Sequence, residues 1–122
     1  MEEKRKFIRI AAPLVVVYKS VGKTFASKKT IAKDFSEDGI RFPVYEKLKV
    51  GAPLELHIEL PFDTIPIFAK GRVVWSKALS SEEGSEIYDA GVQFTQMQAF
   101  DRKRLTQAAR RFLSMGRKYR SG

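Results

Sequence analysis

Residues 54–60 read Leu-Glu-Leu-His-Ile-Glu-Leu, a strict alternation of apolar and polar side chains. Because successive side chains of a β-strand point to opposite faces, this segment is predicted to be an antiparallel strand with one face in the core. The alternation recurs in residues 65–75 and 88–94, and residues 10–18 and 24–33 are also interpreted as strands. Strands this numerous, joined by polar turns and without intervening helices, predict an antiparallel barrel or sandwich.

The period changes in the last part of the chain, from residue 99 to about residue 119. Apolar residues recur there at helical spacing, and Asp101 lies near the positive end of the helix dipole. The apolar stripe expected to pack on the strands consists of Phe100, Leu105, Ala108, Phe112, Met115 and Tyr119. One amphipathic helix is therefore predicted to end the domain, with its basic residues mostly on the solvated side.

The composition is typical of a single globular domain without metal chemistry. The chain has 122 residues, 43% of them hydrophobic, which suffices for one packed core but not for two. It has no cysteine and one histidine, His57, which cannot supply the usual zinc ligand sets. The longest apolar run, residues 10–18, is too short to cross a bilayer as a helix, and its flanks do not resemble a signal peptide. We expect a cytoplasmic protein with no transmembrane segment, metal or cofactor.

The net charge is +9, and much of it lies near the C-terminus. From Gln98 onward the chain has eight Lys or Arg residues, opposed only by Asp101. Such asymmetry indicates an anionic partner, which could be a nucleotide, a nucleic acid, acidic lipid headgroups or an acidic protein surface. Charge alone does not choose among these partners.

A second basic cluster forms a polar arm over residues 1–9. Arg5 and Arg9 lie four positions apart, so their guanidinium groups can reach two sides of one phosphate-bearing ligand, and Lys4 and Lys6 add further cations. The planar fork of arginine donates to phosphate oxygens or to O6 and N7 of guanine, and its face can stack on a purine. Taken alone, the pattern is more typical of a solvated run of charges.

Residues 34–39, Asp-Phe-Ser-Glu-Asp-Gly, interrupt the strand pattern with turn-forming residues. Asp34 offers a carboxylate that can accept from N1 and N2 of guanine, and Ser36 offers a hydroxyl. Gly39 permits positive φ and close approach of the backbone. In isolation the segment is also explained as an ordinary loop in which Asp34 and Ser36 cap backbone amides.

Together the two motifs resemble the paired signature of PilZ domains. Arg5-x-x-x-Arg9 is followed 25 positions later by Asp34-x-Ser36-x-x-Gly39, and the combination is far more specific than either half. Further segments also resemble the later strands and terminal helix of that family: residues 71–75, 91–94 and 101–105.

The resemblance implies a mainly β fold, a six-stranded antiparallel barrel with one C-terminal α-helix. Residues 1–9 would be a flexible arm and residues 10–122 the barrel and helix. Cyclic di-GMP would lie across the barrel surface under the arm. The ligand contacts that the resemblance implies come from Arg5, Arg9, Asp34, Ser36 and Gly39, with Lys4 and Lys6 as additional cations.

A signalling receptor that acts in trans is the expected function. Cyclic di-GMP would order the arm and so change the surface offered to an unidentified downstream protein. No paired acid and base groups indicate catalysis, so an enzyme is not expected. Two alternatives are a PilZ-fold adaptor that does not bind the nucleotide and a nucleic-acid-binding barrel. The +9 charge favours the latter, but most aromatic residues follow the inward alternation.

Four further residues have simple structural interpretations. His57 lies between two glutamates on the polar face of its strand and is predicted to be exposed and noncatalytic. Trp75 aligns with the inward residues of its strand, which favours core packing over base stacking. Gly71 and Gly91 fall inside strands, where they are predicted to mark barrel curvature or a bulge.

Overall fold

The regular elements of the protein are eight strands and one helix, within the residues that the computed structural model describes. These are residues 8–22, 27–79 and 86–120, with side chains described up to residue 115 in the helix. The elements are β1 (Ile10–Ala11), β2 (Val15–Ser20), β3 (Lys28–Ile31), β4 (Asp34–Phe35), β5 (Gly39–Val44), β6 (Pro53–Glu59), β7 (Ile67–Ala78), β8 (Tyr88–Met97) and α1 (Ala99–Arg120).

All eight strands belong to one antiparallel sheet, in the order β1-β4-β5-β8-β7-β6-β2-β3. The sheet curls so that β3, at one end of this order, approaches β5: Thr30 Oγ1 donates to the carbonyl oxygen of Pro43 at 2.7 Å. The prediction of a mainly β, antiparallel barrel with one C-terminal helix is confirmed, although the structure has eight strands in place of six. The two shortest strands, β1 and β4, are two residues long, and periodicity cannot resolve elements of that length.

The inner face of the sheet forms the core. In β6 the predicted alternation is confirmed, because Leu54, Leu56 and Ile58 are fully buried while His57 between them is exposed. Burying one large apolar side chain stabilises a fold by about 1.5–3 kcal/mol. The largest fully buried side chains are Phe35, Phe42, Leu14, Ile40, Leu54, Leu56, Ile58, Ile67, Leu105, Val16, Val44 and Val73.

Helix α1 packs on this core through its middle. Leu105 and Ala108 are buried, and the ring of Phe112 meets that of Phe35 edge-on, with centroids 6.1 Å apart. The predicted stripe is wrong at Phe100, which is 69% exposed, and at Met115, which is also exposed. Within the described part of the chain, no helix combines the length and the apolar character needed to cross a bilayer.

Arg104 explains why the stripe fails at the start of α1. Its nearly buried guanidinium donates to the carboxylate of Asp63 at 2.7 Å and to that of Asp101 at 2.9 Å. These two polar residues, Asp101 and Arg104, take the inward positions of the first turns. Phe100 consequently faces outward, where the centre of its ring lies 5.7 Å from the guanidinium carbon of Arg104.

Candidate functional site

The two sequence motifs meet where β1 runs beside β4. Ile10 pairs with Phe35 and Ala11 with Asp34, so Arg9 comes to lie next to the Asp34 carboxylate. Nε and Nη2 of Arg9 are 2.8 and 2.7 Å from Oδ1 of Asp34. Two residues 25 positions apart in the sequence therefore form a charge-assisted contact, which is stronger than a hydrogen bond between neutral groups.

Asp34 has a second cationic neighbour on the adjacent strand. Arg41 lies opposite Asp34 in the pairing of β4 with β5, and its Nη2 is 2.8 Å from Oδ2 of Asp34. Nη1 of Arg41 is 3.8 Å from the carboxylate of Asp89 on β8, which Lys33 Nζ approaches to 3.0 Å. Arg9, Asp34, Arg41, Asp89 and Lys33 thus form a chain of alternating charges, which we term the charge network.

Arg41 and Asp89 were not among the site residues predicted from the sequence. Arg41 was visible as the polar residue between Ile40 and Phe42, but its partner depends on the register of β5 against β4. Asp89 was visible as a carboxylate inside an otherwise apolar strand, and such a residue requires a cation if it is buried. The sequence could therefore have predicted that Asp89 has a cationic partner, but it does not identify which Lys or Arg residue that partner is.

Ser36 lies in the tight turn between β4 and β5. Its amide donates to the carbonyl oxygen of Gly39 at 2.8 Å, and its hydroxyl donates to the carboxylate of Asp38. The Asp38 amide in turn donates to Ser36 Oγ at 3.3 Å. These are the local contacts of an ordinary turn, and they hold the buried Ser36 side chain in place.

Gly39 does not adopt the positive φ that glycine permits. Among the described residues, positive φ is found at Gly22 and Gly51. Glycine is needed at position 39 because a Cβ there would lie 2.6 Å from the carbonyl oxygen of Val92 on β8. A side chain would force β5 away from β8, so Gly39 shapes the loop through the packing of the sheet.

Trp75 faces outward beside the motifs, and the prediction that it packs in the core is wrong. It is 41% exposed because β7 has a bulge. Val73 pairs with Val92 and Trp75 pairs with its neighbour Gly91, so Val74 is an extra residue without a partner on β8. From Trp75 onward, each side chain of β7 therefore points to the opposite face from the one that regular alternation predicts. Gly71 and Gly91 were predicted to mark barrel curvature or a bulge, and the structure has bulges at both: Gly91 lies opposite this one, and a second register shift precedes Gly71.

Gly91 also makes room for the indole, because a Cβ there would lie 2.2 Å from Nε1 of Trp75. An open cavity of about 260 Å³ lies beside it, and its lining includes Arg9, Asp38 and Gly39 from the motif regions together with Trp75. Guanidinium groups bind phosphate or base edges, and an exposed indole offers a face for stacking. The surface therefore has the chemistry needed for an anionic ligand with planar rings.

The remaining residues of the predicted site, Lys4, Arg5 and Lys6, lie outside the described residues. One contact to residues 34–39, which we term the motif loop, comes from an unexpected direction: Nη1 of Arg102 on α1 donates to the carbonyl oxygen of Glu37 at 2.9 Å. The loop is thus tied to the C-terminal helix as well as to the sheet.

A larger cavity, of about 460 Å³, is lined by residues that include His57, Phe68 and Asp101, and neither motif contributes to it. His57 is exposed, as predicted, and its ring packs edge-on against Phe68 with centroids 4.4 Å apart. Among the described residues, no three His, Cys, Asp or Glu side chains are grouped as a metal site requires. We favour the smaller cavity, because Arg9, which lines it, also contacts Asp34 and so connects it to both motifs, whereas volume alone carries no chemistry.

The solved structures similar to this chain include three of related fold. MotI/DgrA, the Bacillus subtilis inhibitor of motility, is 22% identical over 93% of this chain and 53% of its own, with a TM-score of 0.72. The PilZ domain of Escherichia coli YcgR with c-di-GMP is 11% identical over 98% of both chains, with a TM-score of 0.75. The K. pneumonia MrkH–c-di-GMP complex is 14% identical over 97% of this chain and 56% of its own, with a TM-score of 0.79.

At these identities the comparison shows a shared fold, and the chain spans about half the length of MotI/DgrA and MrkH. No curated protein matches the sequence. The family model of the PilZ domain matches residues 3–111, which include both motifs and every strand of the sheet. By this match, which covers most of the sequence and agrees with the fold, the chain belongs to the PilZ domain family.

Proposed function

We propose that this protein is a non-enzymatic receptor for cyclic di-GMP and that the ligand lies over the surface between Arg9 and Trp75. The observation that carries the proposal is the contact of Arg9 with Asp34, which joins the two motifs beside one open cavity. The shared fold gives further support, because the YcgR PilZ domain and MrkH are each described in complex with c-di-GMP.

Each chemical feature of the ligand has a counterpart at this surface. Arg9 would bind a phosphate or the O6/N7 edge of a guanine through its guanidinium group. Asp34 would accept from N1 and N2 of a guanine, since a carboxylate offers several lone pairs. Trp75 would stack on a guanine face, a contact worth about 1–3 kcal/mol per base.

The arm of residues 1–9 supplies the rest of the proposed site. Arg5 would bind the second phosphate or guanine, and Lys4 and Lys6 would add to the positive potential. Ser36 would meet polar groups near the guanine, and Gly39 would keep the backbone of the loop close to the ligand. Closing of the arm over cyclic di-GMP in the cytoplasm would present a new surface to a downstream protein, so the receptor would act in trans.

Isothermal titration of the purified protein with cyclic di-GMP, GTP and cyclic di-AMP tests the proposal. We expect selective binding of cyclic di-GMP at micromolar affinity or tighter. Arg9→Ala and Asp34→Asn should each weaken binding about ten- to a hundredfold, because each removes at least one charge-assisted hydrogen bond of about 1.5–3 kcal/mol. Arg110→Ala, which removes the same charge from an exposed position on α1, is the matched control and should bind like the wild type.

Two outcomes would contradict the receptor proposal and indicate a different function. If the wild type binds none of the three nucleotides, the domain is better explained as an adaptor that recognises proteins. If it binds generic single-stranded nucleic acid in a salt-dependent manner, with no preference for cyclic di-GMP, the +9 charge serves nucleic-acid binding instead.

A further inference from the structure

We propose that Arg41, supported by the buried Asp89, is a positioning residue that holds Asp34 in place when Arg9 turns from Asp34 to the ligand. The inference rests on the proposed function and deepens it, because it states which of the two arginines beside Asp34 is exchanged and which one stays. Neither Arg41 nor Asp89 belongs to the two sequence motifs.

The two arginines divide the oxygens of Asp34 between them. Both donors of Arg9 approach Oδ1, at 2.8 and 2.7 Å, whereas Nη2 of Arg41 approaches Oδ2 at 2.8 Å. Departure of Arg9 therefore uncovers Oδ1 while Oδ2 remains held. Because each carboxylate oxygen has two lone pairs, Oδ2 can still accept from a guanine N–H. Asp34 would thus keep its orientation while Oδ1 becomes free to accept a hydrogen bond from the ligand.

The positions of the two arginines in the fold make Arg9 the movable one. Arg9 precedes β1, a strand of two residues, and is the last residue of the proposed arm. Arg41 lies within the six residues of β5, which pairs with β4 on one side and with β8 on the other. The backbone of Arg41 is held by the hydrogen bonds of two ladders, whereas Arg9 lies outside the strands and can leave Asp34 by moving both its backbone and its side chain.

The balance of charge also favours this exchange. With Arg9 in place, the charge network has three cations and two carboxylates; without Arg9 it has two of each. The side chains of Asp34 and Asp89 are 15% and 7% exposed, so either carboxylate would be costly to leave without a cation. Arg41 and Lys33 remain as their partners. In a protein without Arg41, Arg9 would be the remaining cation beside Asp34 and would be held there more strongly. The ligand would then have to separate Arg9 from Asp34 before it could bind either side chain.

A double-mutant cycle on cyclic di-GMP affinity tests this role. We expect Arg41→Met to weaken binding about tenfold, equivalent to about 1.4 kcal/mol, when Asp34 is present. In the Asp34→Asn background the same change should have little further effect, because Arg41 acts through the carboxylate. Arg41→Lys should recover part of the affinity, and Asp89→Asn should weaken it less than Arg41→Met does.

Controls separate positioning from loss of fold. Arg110→Met removes an exposed guanidinium from α1 and should leave affinity unchanged, and thermal unfolding of every variant checks the fold. Arginine side-chain NMR signals of the wild type give a second measurement. Saturating cyclic di-GMP should shift the guanidinium signals of Arg9 strongly and those of Arg41 weakly.

The outcomes distinguish the two proposals. Unchanged or tighter binding by Arg41→Met, an equal loss in both backgrounds, or a strong shift of the Arg41 signals would overturn the positioning role and leave the receptor proposal standing. If the wild type does not bind cyclic di-GMP at all, the receptor proposal and the positioning role fail together.

Discussion

At the scale of single residues, Arg104 shows how one buried cation can decide the position of a helix. Its guanidinium donates to Asp63, to Asp101 and to the carbonyl oxygen of Ile65 in the segment before β7. Burial by itself would lower the pKa of Arg104, but the hydrogen bonds to Asp63 and Asp101 outweigh burial and raise it. The guanidinium is therefore a permanent cation between these two carboxylates.

Removing this guanidinium should be among the more destabilising single changes in the helix. Arg104→Met would leave the buried Asp101 without its cation, and we expect the free energy of unfolding to fall by about 2–4 kcal/mol. Urea denaturation measures the change. Arg110→Met, at an exposed position of the same helix, should stay within about 0.5 kcal/mol of the wild type. Equal stability of the two variants would show that the Arg104 contacts contribute nothing.

Asp63, the exposed partner of Arg104, predicts how stability responds to acid. The hydrogen bond from Arg104, aided by the Ile65 amide, holds the pKa of the Asp63 carboxyl below its usual value. Because this folded-state pKa is lowered, the contribution of Asp63 to stability is complete above the usual aspartate value of about 4 and is lost as the pH falls below it.

The wild type should accordingly lose more stability between about pH 6 and about pH 3 than Asp63→Asn does. Denaturation midpoints measured at several pH values check this difference. Parallel pH profiles for the two proteins would mean that Asp63 has the same pKa in the folded and unfolded states.

At the scale of elements, the strands whose side chains alternate regularly were predictable from the sequence. β6 follows the alternation over its whole length. β7 follows the alternation only as far as the bulge after Val73. The extra residue in this bulge turns Trp75 to the outer face, which the alternation could not predict. The contact of Arg41 with Asp34 was also beyond prediction, because it depends on the register between two strands rather than on either strand alone.

The pairing of Trp75 with Gly91 gives a test of this bulge. In Gly91→Ala the new Cβ would meet the indole nitrogen of Trp75, and a side chain on the exposed face can swing aside. We expect a changed emission maximum and altered iodide quenching, with weaker binding of cyclic di-GMP. The chain has a single tryptophan, so its fluorescence reports this position alone.

Gly71→Ala is the matched control for Gly91→Ala. Its Cβ would lie 2.6 Å from Cγ1 of Val92 and 2.9 Å from the carbonyl oxygen of Gln93, which belong to the core and the backbone of β8. This variant should lose about 1–3 kcal/mol of stability with little change in tryptophan emission. The opposite pattern, with Gly91→Ala the less stable variant and Trp75 emission unchanged in it, would contradict the assigned contact.

At the scale of the whole molecule, the proposed site brings together parts that are distant in the sequence. Arg9 precedes β1, Asp34 and Arg41 belong to β4 and β5, and Trp75 lies on β7. Arg102 connects the motif loop to α1 through the carbonyl oxygen of Glu37. A ligand that draws Arg9 away from Asp34 would therefore act at the sheet, beside a loop that also contacts α1.

Hydrogen exchange of the whole chain tests whether ligand binding reaches the arm. Saturating cyclic di-GMP should slow amide exchange in residues 1–9, because the arm would close over the ligand, and also in the motif loop of residues 34–39. Residues 54–60, which lie largely in β6 and contribute nothing to the proposed site, serve as the internal control and should not change. Arg9→Ala at the same ligand concentration should show no protection of the arm. Slower exchange in the loop with an unchanged arm would retain the binding site but rule out arm closure as the signal to a partner.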